Sequence, residues 1–280
     1  MQFPKMIGEF TRRDDKPNAI NSGALYELKV QMSVPFEQER MLRVYLPEDY
    51  DENETYPVMY MTDGQNAVDR FLSAYGEWDI DDHISNLIKE GYKSFIVVGL
   101  DCPKKPFNRV REYVLASSPY HMFGKSIHGY GRDYARYLLE VVKPLIDSTF
   151  STRKEKEFTA FAGSSMGGLC AFEMGSLYQD IFGFLLVFSP SFAFFKWSEY
   201  LKEVEERNIA INAQKYYFYC GGRELDDRLL PGTVKMYEYM KSIGFDDEHN
   251  ALLLDYVQPH NEAAWSYHFE DAIRFWNIKK

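Results

Sequence analysis

The stretch Phe158-Thr159-Ala160-Phe161-Ala162-Gly163-Ser164-Ser165-Met166-Gly167-Gly168-Leu169 decides how this chain is read. Phe158 to Ala162 is an apolar run with the length of a buried strand, and Gly168 to Leu177 has the composition of a helix. Between them Gly163 to Gly167 spells G-x-S-x-G. A strand, this motif and a helix in that order make a nucleophile elbow, a turn so tight that its serine takes a strained backbone conformation and its neighbours must be small. Ser165 would project its hydroxyl above the sheet. The Met166 N–H, at the start of the helix, would face a developing oxyanion. The alternative is a glycine-rich strand-to-helix turn with an idle serine. The strand and helix on either side favour the catalytic reading.

Outward from the elbow, strands come first and then alternate with helices. Ala24 to Ser33 and Glu39 to Leu46 alternate like half-buried strands, with Pro35 breaking the pair into an antiparallel hairpin. Val58 to Met61, Ser94 to Leu100, Phe184 to Ser189, Lys215 to Cys220 and Ala251 to Val257 read as further strands. Ile80 to Glu90, Gly131 to Ser148 (despite Pro144), Val234 to Ile243 and Asn261 to Asn277 read as helices. Repeated strand–helix alternation predicts a mostly parallel sheet covered by helices on both faces, with ligands at the carboxyl ends of its strands. The chain reads as one α/β domain over residues 1–280. Residues 101–129 form a long connection with Pro103, Pro106, Arg109, Arg111, His121 and His128, which reads either as a lid or cap or as a surface insertion packed on its own aromatics.

The composition excludes several classes. The 280 residues carry a net charge of −10 with dispersed Lys and Arg, which argues against nucleic acid or an anionic membrane as partner. Met1 to Ile20 lacks the apolar segment of a signal peptide, and no stretch has the length and hydropathy of a membrane span. Cys102, Cys170 and Cys220 cannot all pair and have no metal-ligand spacing, so reduced thiols and a cytoplasmic location are expected. The 21 Tyr and 21 Phe are unusually many, and an aromatic-lined cleft is one use for them. Nothing in the composition decides whether the chain forms a homo-oligomer.

A serine nucleophile needs a base. Of the six histidines, His260 alone sits just past a strand end and before a helix, in Gln258-Pro259-His260-Asn261-Glu262, on the sheet edge that would hold Ser165. The acid that orients the imidazole is expected between serine and histidine in the chain. The loop after Cys220 reads Gly221-Gly222-Arg223-Glu224-Leu225-Asp226-Asp227; Glu224, first after the glycine turn, is preferred, with Asp226 and Asp227 as rivals. At least one of these carboxylates is expected to cap the next helix. A second oxyanion donor is expected after Met61, where Asp63-Gly64-Gln65-Asn66 would offer the Gln65 N–H. An ordinary Asp-Gly turn would read the same.

These segments, in this order, resemble the esterase family that includes esterase D (S-formylglutathione hydrolase), feruloyl esterases, enterobactin trilactone esterases and mycobacterial mycolyltransferases. Tyr56 to Gln65 resembles that family's Y-P-V-L-Y-L-L-D-G segment, with Thr62 where Leu is usual. Gly163 to Gly168 resembles its elbow, Gly221 to Glu224 its acid loop, here with Glu for Asp, and His260-Asn261-Glu262 followed by Trp265 its ending. The resemblance runs from near residue 40 to the C-terminus. It implies an α/β-hydrolase fold and a serine carboxylic-ester hydrolase acting through an acyl-enzyme on a small or medium ester or thioester. Ser165 would be nucleophile, His260 base, Glu224 acid, and Met166 with Gln65 the oxyanion donors. No metal or organic cofactor is implied. Trp78 resembles a cleft-wall tryptophan of some members, and a core tryptophan would look the same. Arg109 and Arg111 would meet an anionic substrate group or form salt bridges with Asp101 and Glu112. Transfer of the acyl group to another alcohol, and a catalytically silent fold used for binding, are the alternatives.

Overall fold

A computed structural model describes residues 8–14, 19–32, 38–73, 76–122 and 124–279. Among these, nine strands form one sheet: β1 (Thr11–Arg12), β2 (Ala24–Met32), β3 (Gln38–Leu46), β4 (Val58–Thr62), β5 (Ile96–Leu100), β8 (Thr159–Ser164), β9 (Phe184–Phe188), β10 (Lys215–Gly221) and β11 (Asn250–Asp255). Their spatial order is β1-β2-β3-β5-β4-β8-β9-β10-β11. The three pairings from β1 to β5 are antiparallel and the five from β5 to β11 are parallel. This is the expected mostly parallel sheet with antiparallel strands at its N-terminal edge. The turn at Pro35 lies outside the described residues.

The parallel strands β4, β5, β8 and β9 are buried along their whole length, which is why they read as continuous apolar runs instead of alternating ones. Successive side chains still point to opposite faces. Val58, Tyr60, Leu185 and Val187 pack on one face against α2 (Pro106–Tyr113), α3 (Gly131–Tyr137), α4 (Lys143–Thr149), α5 (Met166–Leu177), α6 (Trp197–Glu206) and α7 (Leu225–Ser242). Met59, Met61, Phe184, Leu186 and Phe188 pack on the other against α1 (Ile80–Lys89), α8 (Glu262–Tyr267) and α9 (Phe269–Trp276). Most of the surplus aromatics are here. Tyr45, Tyr56, Tyr60, Tyr113, Tyr134, Tyr137, Tyr200, Tyr216 and Tyr219 are all essentially fully buried.

Several elements differ from the sequence reading for local reasons. The Gly131–Ser148 helix is interrupted by a π turn over Leu138–Val142, so that α4 begins at Lys143 and the missing N–H of Pro144 falls in its first turn. The closing helix is two, because His268 leaves helical geometry (φ −102, ψ 5), its Nε2 held 3.0 Å from Asp255 Oδ2. α7 starts nine residues earlier than its apolar pattern suggested and runs through Pro231. Residues 101–129 contain α2, begun by Pro106, and a small hairpin of β6 (Tyr120–Met122) and β7 (Lys125–Ile127).

The strand order reverses between β4 and β8, since β4 leads to β5 on one side and β8 to β9 on the other. Ligands in parallel sheets bind at such a switch point, beyond the carboxyl ends of the strands. Backbone strain collects there. Asp63 (φ 54) follows β4, Ser165 (φ 60) follows β8, Ser189 (φ 43) follows β9, and Glu224 (φ 57) lies just past β10. Left-handed conformations at non-glycine residues cost energy and persist only where surrounding contacts dictate them.

Candidate active site

Ser165 occupies the turn between β8 and α5 with φ 60 and ψ −120. The turn closes because its neighbours lack side chains: a Cβ at Gly163 would lie 2.5 Å from Thr62 Oγ1. Thr62, the departure from the usual Leu, therefore sits directly under the elbow. Met166 opens α5, where the first N–H groups have no intrahelical acceptor and the helix dipole favours negative charge.

The Ser165 hydroxyl lies 3.0 Å from His260 Nε2, and His260 Nδ1 lies 2.7 Å from Asp226 Oδ1. A carboxylate only accepts, so Nδ1–H donates to Asp226 and Nε2 is left to accept the Ser165 proton. Asp226 is fully buried in the first turn of α7. Its second oxygen accepts from Ser189 Oγ and from the Gly221 N–H, each at 2.9 Å. A Cβ at Gly221 would lie 2.5 Å from that same oxygen, so the approach needs glycine. Trp265 Nε1 donates to Ser189 Oγ at 3.0 Å, and its indole meets the His260 ring edge-on at 5.0 Å. A chain of donors thus runs from Trp265 through Ser189 to Asp226 and fixes the carboxylate that faces the imidazole.

The structure pairs His260 with a carboxylate other than the preferred one. Glu224, preferred from its place in the loop, takes the strained N-cap position of α7 and is exposed at the cavity wall, while Asp226, one of its two rivals, meets His260. The reason is the early start of α7: one helical turn swings Asp226 inward under the strand ends while Glu224 and Asp227 stay at the surface. Sequence reasoning weighed Asp226 but gave no role to Ser189. The serine before a proline after β9 carries no motif, and only its left-handed backbone marks it.

Above Ser165 lies a cavity of about 850 Å³. Its walls include Gln65, Asn66, Cys102, Pro103, Lys104, Pro106, Arg109, Glu224, Glu262 and Trp265 as well as Ser165 and His260. Gln65 is placed there by the 3₁₀ turn Gly64–Asn66 after β4. Trp265 is the one aromatic among the described lining residues, and most of the described tyrosines and phenylalanines lie in the core. Trp78, too, belongs to the core. It is 1% exposed and stacks on Phe188 and Trp265 at 5.4 and 6.0 Å.

Arg109 lines the cavity, but its Nε and Nη2 both donate to Asp63 at 2.7 Å. Arg111 is not among the cavity-lining residues; its guanidinium lies 4.1 Å over the Tyr130 ring. Arg109 thus pairs with Asp63 and not with the carboxylates expected for it. Asp101 holds Arg43 at 2.6 and 2.8 Å, and the buried Glu112 holds Arg40 at 3.0 and 2.8 Å. Both arginines sit on β3, across the sheet edge from the insertion. Burial pushes the Glu262 carboxyl up, with Asp63 adding to the shift, and Asn66 Nδ2 donates to it at 2.9 Å. Burial, reinforced by the Asp63 charge, pushes the Cys102 thiol up to about 12, so it is not a ready nucleophile. Among the described residues, no group of three His, Cys, Asp or Glu side chains is arranged to hold a metal ion, and no helix is long and apolar enough to cross a membrane.

Comparison with known proteins agrees with this architecture. The family model described as "Putative esterase" matches residues 33–273. An uncharacterized Bacillus subtilis protein, YbbA, is 22% identical over 253 residues, spanning 84% of this chain and 92% of that protein. The endo-1,4-β-xylanase/feruloyl esterase of Xylanibacter ruminicola is 27% identical over 211 residues, spanning 73% of this chain but only 25% of that larger enzyme. The ferulic acid esterase AmCE1/Fae1A of Anaeromyces mucronatus, solved with ferulic acid, superposes with a TM-score of 0.66 at 21% identity, covering 98% of this chain and 97% of that one. Its likeness is one of fold.

Proposed function

Because the chain belongs to the "Putative esterase" family, and is on that ground a carboxylic ester hydrolase, we infer that it works as a serine esterase with Ser165 as nucleophile, His260 as general base and Asp226 as the acid. The observation that carries this reading is the unbroken hydrogen-bond chain Ser165–His260–Asp226 beneath an open cavity. In the first half-reaction Ser165 Oγ attacks the ester or thioester carbonyl and its proton passes to His260 Nε2. Asp226 stabilises the imidazolium. The carbonyl oxygen takes up negative charge against the N–H groups of Met166 and Gln65. As the tetrahedral species collapses, the carbonyl–oxygen or carbonyl–sulfur bond breaks and the leaving alcohol or thiol takes the proton from His260. In the second half-reaction His260 draws a proton from water, the hydroxide attacks the acyl-enzyme, and Ser165 regains its proton as the acid departs.

A cavity of about 850 Å³ suits a small or medium ester. Its wall mixes Leu72, Pro103 and Pro106 with charged groups, which fits a substrate carrying oxygen functions beside an apolar part. The relatives named as feruloyl or ferulic acid esterases make aryl esters a natural set to try. A fluorophosphonate probe tests the reading: rapid labelling of the wild type and none of Ser165→Ala is expected. Equal labelling of both proteins would refute it.

A further inference from the structure

We propose that Arg109 is a positioning residue for the hydrolysis: by gripping Asp63 it fixes the turn that presents the Gln65 N–H, so that the 101–129 segment braces the oxyanion site. This rests on the serine-esterase reading and adds to it a role for the insertion and for an arginine that would otherwise be taken as a substrate-anion receptor.

Asp63 follows β4 in a left-handed conformation (φ 54, ψ 48) and caps the start of the 3₁₀ turn Gly64–Asn66. Aspartate tolerates this conformation better than most residues, but at a cost, so something must hold it. Helix α2 supplies the hold. Arg109 and Tyr113 lie four residues apart, on one helical face. Arg109 grips both carboxylate oxygens of Asp63 at 2.7 Å, and Tyr113 Oη accepts the Asp63 N–H at 3.1 Å. The guanidinium stands 5.1 Å over the Tyr113 ring, which locks the fork in orientation. Burial alone would favour the neutral arginine, but the charge and hydrogen bonds of Asp63, with smaller contributions from Tyr113 and Cys102, together outweigh it and drive the pKa up, so the guanidinium stays charged.

The rest of the turn is held in the same way. The Cys102 N–H donates to Gln65 Oε1 at 3.0 Å, and Asn66 Nδ2 reaches Glu262 at 2.9 Å. A Cβ at Gly64 would lie 2.5 Å from Gly99, so the turn is pressed against β5 as well. Backbone groups that stabilise charge in a transition state work only if they are already in place. Here the only charged grip on Asp63 among the described residues comes from the insertion. The bidentate edge of Arg109 is consumed by Asp63, which leaves little of it for a substrate anion.

The test uses purified full-length wild type, Arg109→Gln, Arg109→Lys and Tyr113→Phe, with kcat and KM for p-nitrophenyl butyrate and inhibition by an alkyl trifluoromethyl ketone, which forms a tetrahedral oxyanion on serine. For Arg109→Gln, kcat is expected to fall about 10- to 100-fold, short of deleting an oxyanion donor outright, with KM within about 3-fold and ketone inhibition weakened in step. Arg109→Lys should recover part of the loss, and Tyr113→Phe should shift kcat in the same direction by less. If Arg109→Gln does not fold, the other two variants carry the same comparison. Wild-type kcat in the variants, or a loss confined to KM, overturns the proposal while leaving an active, Ser165-dependent wild type intact. A wild type without Ser165-dependent turnover removes the esterase reading and this proposal together.

Discussion

Asp226 Oδ1 lies 2.7 Å from His260 Nδ1, while Glu224, two residues earlier in the chain, stands exposed at the cavity wall. The two carboxylates separate because α7 begins at Leu225 and its first turn carries Asp226 inward to be buried against the strand ends. Asp226→Asn keeps the shape and removes the charge that selects the productive imidazole tautomer. We expect kcat to fall about 10³- to 10⁴-fold, with Glu224→Gln within about 3-fold of wild type. Steady-state kinetics on both variants decides between the two acids, and the opposite ranking would restore Glu224.

Ser189 donates to Asp226 and accepts from Trp265 Nε1. Ser189→Ala leaves a buried N–H and a buried carboxylate oxygen each short of one partner. A loss of about 1–3 kcal/mol in stability is expected together with a several-fold fall in kcat at unchanged KM. Urea unfolding and kinetics read both. A loss of stability with wild-type kcat would confine Ser189 to packing.

Much of the fold was legible because the parallel strands are buried on both faces and so appear as short apolar runs between helical patterns. Ser165, Gln65 and His260 were legible for a related reason: each sits at a strand's carboxyl end, and strand ends can be located in sequence. The carboxylate that meets His260 was not, because choosing among Glu224, Asp226 and Asp227 requires the first residue of α7, and the helix runs through Pro231, a residue that normally argues against one. For Trp78 and Arg109 the sequence left two readings open, because a lone tryptophan or arginine carries no sign of its partner. Asp63 lies 46 residues from Arg109 in the chain.

Trp78 stacks on Phe188 and Trp265 in the core and meets Phe269 edge-on at 6.0 Å. Trp78→Ala is therefore expected to cost about 3–5 kcal/mol of stability. A variant with wild-type stability in denaturant and a raised KM would return Trp78 to the cleft wall.

The Glu77 carboxyl is pushed up to about 8 by burial, then by the charges of Asp79 and Asp81, with Arg70 opposing. Its folded pKa lies above its ordinary 4.5, so its stabilising contribution is complete below pH 4.5 and is lost as pH rises through 8. Glu77→Gln should flatten the fall in Tm between pH 5 and pH 8, the gap to wild type widening in the variant's favour as pH rises. Parallel Tm curves for the two proteins across that range would contradict this.

The most direct test of the central claim is hydrolysis of p-nitrophenyl acetate and butyrate by the wild type and by Ser165→Ala. The account predicts saturable turnover in the wild type and a fall in kcat of about 10³-fold or more in the variant, because the three residues act as a unit. Turnover in Ser165→Ala close to that of the wild type would contradict it.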